Sequence, residues 1–178
     1  MPGEYTQKDN PGHIGTEMDI QATETGRIAD RAGHTLLIEG HDLHGADLRG
    51  QDFAGVRFRH CELRGARLDW ANLAGASLDH ARLLSASLAH AFLKQASLKG
   101  ANLRGARLVH ANLAGADMTG ASLIGADLAG ANLCGARCLW SDTAKARFAG
   151  ALYDAATLLP PGFHPDAEGM VRFDTPRA

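Results

Sequence analysis

The chain has 178 residues, 20 acidic against 18 basic side chains, a formal charge of −2 and three cysteines. That length suits one domain with its own core. The near-even charge excludes a strongly basic nucleic-acid binder and an acidic tail, and an odd cysteine count in a chain of this size speaks for a reducing compartment, not a disulfide framework.

The opening MPGEYTQKDNPGHIG has no apolar run of the kind a secretory signal needs, and nowhere do ~18 apolar residues follow one another. A soluble, cytoplasmic protein with no membrane contact is expected. Residues 1–35 carry six acidic and three basic side chains and no sustained period, the composition of a flexible or disordered arm. Leu36, Ile38 and Gly40 already fit the register of a five-residue repeat that begins just after them, so the segment HTLLIEG is expected to form its first edge.

From Leu43 to Tyr153 the sequence repeats every five residues through 23 units without an insertion. Taking Leu43 as position i of the first unit, i is Leu in 16 units; Phe53, Phe58, Met118, Cys138, Thr143, Phe148 and Tyr153 are the exceptions. Position i−2 is Ala in 18 units and i+2 is Gly in 13, while i−1 is mostly polar and i+1 varies freely. In extended backbone, residues two apart share a face, so the Ala and Leu of one unit are buried together. Five is odd, and a straight strand would send the next pair to the opposite face. The chain must therefore bend once per unit, with glycine at i+2 relieving the bend. An α-helix would scatter the leucines around all its sides.

Such a repeat builds a stacked solenoid. The core repeat is carried by residues such as Leu63, Leu83, Leu103, Leu123, Ala101 and Ala121. The unit A-[DN]-L-x-G, as in Ala101-Asn102-Leu103-Arg104-Gly105, resembles the pentapeptide-repeat family over residues 41–155. The resemblance implies an all-β, right-handed quadrilateral β-helix with four units per 20-residue coil. Nearly six coils would then make a rod roughly 28 Å long at about 4.8 Å per coil.

The β-helix is expected over residues 36–158, with Leu158 keeping the register and Pro160-Pro161-Gly162 ending it. Residues 159–178 are read as a C-terminal cap, with Phe163 and either Met170 or Phe173 folded over the last coil. The tail lacks a long apolar helical pattern of the sort used by relatives that dimerise through a helix.

No pattern for catalysis or cofactor binding emerges. His41-x-x-His44 has suggestive spacing, but the two fall on different registers. Cys134 points outward at i+1 and Cys138 inward at i, a poor pose for a shared ion; Cys61 and Cys138 read as small core residues. Asp42, Asp47 and Asp52 lie on successive sides and do not converge as paired acid–base work requires. A rod with a filled axis also offers no evident pocket. No cofactor, no metal and no enzyme activity are expected.

The i+2 position holds a more organised feature. His60, His80, His90, His110, Trp70 and Trp140 stand there in place of glycine. On a 20-residue coil His60 lies beneath His80, while Trp70, His90 and His110 form a ladder on the opposite side. Two readings stand: an aromatic contact surface, or rings that merely stack along the solenoid.

Two functions from different classes compete. Within the family, the quinolone-resistance and other topoisomerase-protection members resemble B-form DNA in shape and charge and bind DNA gyrase. Residues 36–158 hold 11 acidic and 13 basic residues, a difference of +2, and stacked positions such as Asp47, Arg67, Asp127 and Arg147 alternate in sign where a DNA mimic wants unbroken negative rows. The preferred reading is a non-enzymatic scaffold that binds a protein partner through its outer faces. Residues 108–136 contain no Lys or Arg, and Val109 and Ile124 mark this stretch as a protein contact or, in a homodimer, a self-association face. Direct nucleic-acid binding is not expected, because the basic clusters are spread over different sides.

Overall fold

The computed structural model describes residues 40–173 in full. Before them it describes only the backbone of β1 (Gln21–Ala22), β2 (Ile28–Ala29) and β3 (Thr35–Leu36). These three pair antiparallel in the order β1-β2-β3. The rest of the arm expected over residues 1–35, most of HTLLIEG and the last residues of the tail lie outside the described residues. Thr35–Leu36, placed by the sequence pattern on the first edge of the coil, pairs with Ile28–Ala29.

From Asp42 onward the backbone repeats with its sequence. Parallel bridges join i−1 residues 20 apart, and four such columns run side by side. The first contains Asp42, Glu62, Arg82 and Asn102; the second Asp47, Arg67, Ser87 and Arg107; the third Asp52, Asn72, Phe92 and Asn112; the fourth Arg57, Ser77, Ser97 and Asp117. Each 20-residue step thus returns to the same side. Four sides emerge from the bridges themselves, where periodicity alone implies only a coil.

The unit around Leu103 shows why each position is constrained. Leu103 N–H donates to Ser122 O at 2.8 Å, Gly105 N–H to Ile124 O at 2.8 Å, and Asn102 N–H back to Ala81 O at 2.9 Å. Ala106 N–H closes the turn on Leu103 O at 2.9 Å. The third turn residue, Gly105, has φ of 63°, the left-handed conformation that a type II turn demands there. One N–H remains, that of Arg104, and the Asn102 side chain accepts it at 3.2 Å. Position i−1 is therefore Asp or Asn in so many units because its carbonyl or carboxylate caps the turn. In the units of Ser87 and Ser97 the cap comes from the coil before: Asp69 accepts from Ala89 N–H and Asp79 from Lys99 N–H, each at 3.2 Å.

Inside, the Leu and Ala columns are buried from Leu43 to Leu133. Each fully buried Leu contributes about 1.5–3 kcal/mol by leaving water. Phe53 and Phe58 meet edge to face at 5.2 Å in the first coil, and Cys61 and Cys138 are buried thiols that form no disulfide. Burial pushes the Cys138 thiol up to about 12, consistent with a packing role.

The pattern breaks at the far end. Leu158 bridges Arg137, a step of 21. It stands at an i−1 place, half-exposed, and not inward at i as the sequence register predicts. The extra residue displaces the carbonyl that Gly135 N–H would otherwise meet, and the Asp154 carboxylate takes its place at 2.9 Å. Trp140 also departs from its expected outward place. The turn before it is lost, Ser141 N–H donates to Ala121 O at 2.8 Å, and the indole is buried against Phe148 and Phe163, with ring centroids 5.3 and 5.4 Å away. β4 (Leu152–Tyr153) then pairs parallel with β5 (Val171–Arg172). Phe163 and Met170 pack on the core, whereas Phe173 stays about half exposed. Among the described residues no helix is long and apolar enough to cross a membrane.

Leu103→Ala should cost about 2–5 kcal/mol in urea unfolding, because its neighbours above and below cannot collapse into the gap. Asp154→Ala should cost about 1–3 kcal/mol at neutral pH by stripping a bonded acceptor from the repaired turn. Burial alone would raise the Asp154 pKa, but bonds from Gly135, Thr157 and Ala156 outweigh it and hold the carboxyl below its ordinary value. A depressed folded pKa means stabilisation that is complete above the unfolded pKa and is lost as pH falls through the folded one. The gap between wild type and Asp154→Ala, measured by denaturant midpoints, should therefore close on acidification.

Candidate functional site

Left-handed backbone at i+2 strains a side chain with a Cβ, and glycine avoids it. Trp70, His60, His80, His90 and His110 nevertheless adopt φ of 57–63° there. They fall on two opposite corners of the four-sided coil. At the corner between the fourth and first sides, the His60 and His80 rings lie parallel at 5.2 Å. At the corner between the second and third sides, Trp70 stacks on His90 at 4.1 Å and His90 on His110 at 5.3 Å.

The rings lean along the axis in the direction of the chain. A Cβ built on Gly100 would lie 2.6 Å from His80 Nδ1, and one on Gly130 only 2.3 Å from His110 Nδ1. The last histidine of each ladder thus lies over the glycine of the next coil. Stacking of this sort is worth about 0.5–1.5 kcal/mol per pair, while a strained backbone residue costs about 1–3 kcal/mol. The two are comparable, so ring stacking alone gives the fold no clear reason to replace glycine here.

Beside the longer ladder, on the third side, stands Phe92. It occupies a capping position yet has no oxygen with which to cap, and it is 49% exposed. Trp70 is 58% exposed despite its stacked neighbour. An aromatic patch therefore comprises Trp70, His90, His110 and Phe92 on one corner and the side next to it. Sequence reasoning misses Phe92; a bulky aromatic at i−1, a place the other units mostly fill with Asp, Asn, Ser or Arg, is the signal that could have found it.

Val109 adjoins this patch, directly before His110, and is half-buried. Ile124 does not. The stretch 108–136 is longer than one 20-residue step, so its outward residues wind around all four sides: Val109 and Ala129 share a column with Ala89, whereas Ile124 lies at the corner between the first and second sides, in line with Arg104. Leu63, Leu83, Leu103, Leu123, Ala101 and Ala121 are all buried in the core.

Acidic groups on the rod face basic ones on neighbouring coils. Asp47 meets Arg67 at 3.7 Å, Glu62 meets Arg82 at 3.5 Å, Asp79 meets Arg59 at 3.9 Å and Asp127 meets Arg147 at 3.2 Å. Asp117 lies 3.4 Å from Arg137 and 3.5 Å from Lys99. Such exposed pairs are worth little each, but they break up any continuous acidic row. Among the described residues no group of three or more His, Cys, Asp or Glu side chains converges on a metal-sized site.

The ring over Gly130 gives a direct test of ladder geometry. Gly130→Ala and Gly125→Ala share the same backbone strain, but only the former meets a ring, since a Cβ at Gly125 finds open space. Gly130→Ala should be the more destabilising of the two by thermal unfolding, and adding His110→Gly should remove the difference.

The profile for pentapeptide repeats matches the chain in 8 copies over residues 42–79, 66–105 and 101–137. None of the curated proteins matches it. Among solved structures, a pentapeptide repeat protein from the cyanobacterium Cyanothece 51142 is 27% identical over 67% of this chain and 88% of its own, with a TM-score of 0.41. Another, from Nostoc Pcc 7120, is 31% identical over 60% and 84%, with a TM-score of 0.33. A plasmid-mediated fluoroquinolone resistance protein is 17% identical over 77% and 86%, with a TM-score of 0.31.

Proposed function

Because the chain belongs to the pentapeptide repeat family, whose members fold as right-handed β-helices, we propose that it is a non-enzymatic cytoplasmic scaffold: a rod of about six coils that binds a protein partner through its outer surface. The observation that carries this reading is the exposed aromatic corner of Trp70, His90 and His110, with Phe92 beside it. Exposed Trp anchors at the centre of a patch are what protein interfaces use. Two of these residues stand where folding prefers something else. Trp70 holds a glycine position at φ of 63°, and Phe92 holds a capping position it cannot serve.

The alternative, mimicry of DNA towards gyrase, has less support. Its acids would have to form open rows, and here Asp47, Glu62, Asp117 and Asp127 are matched with Arg or Lys on adjacent coils.

Replacing Trp70, His90 and His110 together by glycine should leave the fold at least as stable as wild type, since two stacked pairs worth about 0.5–1.5 kcal/mol each are lost while three strained residues costing about 1–3 kcal/mol each are relieved. The same variant, and separately Phe92→Asn, should lose most partner capture from host lysate, read by mass spectrometry against wild type. Full capture by both variants would refute the aromatic corner as the contact. Gyrase subunits recovered equally by wild type and variants would favour the alternative.

A further inference from the structure

We propose that Trp70 and the open space at Gly50 form a receptor for a single arginine side chain of the partner protein. This rests on the aromatic corner being the protein-contact surface, and it names the group that surface takes.

The ladder has a closed end and an open end. Downstream, His110 lies over Gly130. Upstream, one coil before Trp70, Gly50 shares the left-handed backbone of the ladder, with φ of 63°, yet has no side chain, and a Cβ built there meets nothing within 4 Å. One face of the Trp70 ring is covered by His90 at 4.1 Å, and the residue remains 58% exposed. The uncovered face therefore looks towards the Gly50 coil. Coils are about 4.8 Å apart, so the missing rung has the thickness of one planar group.

Charge selects among planar groups. Arg49, next to Gly50, is engaged by Asp47, with Nε at 2.7 Å from Oδ1 and Nη2 at 2.5 Å from Oδ2. Asp69 precedes Trp70 and Asp52 lies two residues beyond Gly50. The described hydrogen bonds to both come from neutral donors and all reach Oδ1: Ala54 N–H and Asn72 Nδ2 for Asp52, Ser87 Oγ and Ala89 N–H for Asp69. Arg49 is also felt by Asp69, but its guanidinium is already held by Asp47. Asp69 leans towards the next coil, where it accepts from Ser87 and Ala89, so Asp52, on the coil that the open indole face looks towards, is the carboxylate that joins the ring in attracting a cation. A guanidinium is flat enough to stack while donating in its own plane, which an ammonium is not. A partner's aromatic ring would stack but leave the Asp52 carboxylate unused.

The test monitors the Trp70 indole N–H resonance in the 15N-labelled full chain, assigned by its loss in Trp70→Leu. The probes are N-acetyl-arginine amide, N-acetyl-lysine amide and N-acetyl-tyrosine amide. Arginine amide should shift the resonance saturably and bind more tightly than lysine amide, whose ammonium cannot lie flat on the ring while donating in its plane. Asp52→Asn should weaken that binding. Gly50→His should abolish it by filling the rung with a ring in a backbone geometry that His60, His80, His90 and His110 already adopt; an unchanged thermal midpoint shows that the fold survives. No shift, an equal or stronger effect of tyrosine amide, or binding that persists in Gly50→His overturns the proposal. The underlying reading is judged separately: partner capture that needs Trp70 and Phe92 but ignores Gly50→His overturns the arginine receptor and leaves the contact surface standing.

Discussion

Each unit of this chain must satisfy five backbone N–H groups while turning a corner, and the rest of the structure depends on how that is done. Three N–H groups reach adjacent coils and one closes the turn, as in the unit of Leu103. The fifth has no backbone partner, and in this unit the Asn102 side-chain oxygen accepts it. Unpaired buried polar groups are costly, so this arrangement links the polar i−1 residue to the turn, the turn to the left-handed i+2 residue, and both to the inward Leu. The repeat in the sequence is the imprint of that single bonding scheme.

Much of the fold is accordingly legible without coordinates. Leu and Ala two apart announce a shared buried face, and the stacked ladders at Trp70, His90 and His110 come from counting in the twenties that the family resemblance implies. What the pattern could not reveal are places where one irregular residue changes the bonding. The step of 21 at Leu158 depends on Asp154 and Thr157 replacing lost backbone partners, and nothing in an A-x-L-x-G count distinguishes a carboxylate that caps from one that substitutes for a carbonyl. Trp140 sits at an i+2 place by number, yet burial against Phe148 and Phe163 outweighs the turn. For the candidate site the limitation was curvature: Val109 and Ile124 look adjacent in a linear stretch, whereas the coil carries them to different corners.

The candidate surface emerges from residues that do not serve this scheme. Asp, Asn and Gly are accounted for by hydrogen bonds and backbone conformation; Phe92 and Trp70 are not. A regular solenoid makes this distinction unusually clear, because each position has many equivalents on the same chain against which a departure can be judged. Ser97 at a capping position borrows Asp79 from the previous coil, and Arg57, Arg67, Arg82, Arg107, Arg137 and Arg147 stand at equivalent places with no acceptor oxygen, so the scheme tolerates uncapped turns; Phe92 departs from it by placing an exposed aromatic ring there.

The uniform 20-residue spacing of the bridges has a kinetic consequence. Each new coil closes a loop of the same modest length, so the entropic cost of adding it does not grow as the rod lengthens. Once one pair of coils has formed, the chain can extend the structure by repeated short-range captures instead of a search over its whole length. Growth of this kind can start at any well-packed coil and proceed outward in both directions.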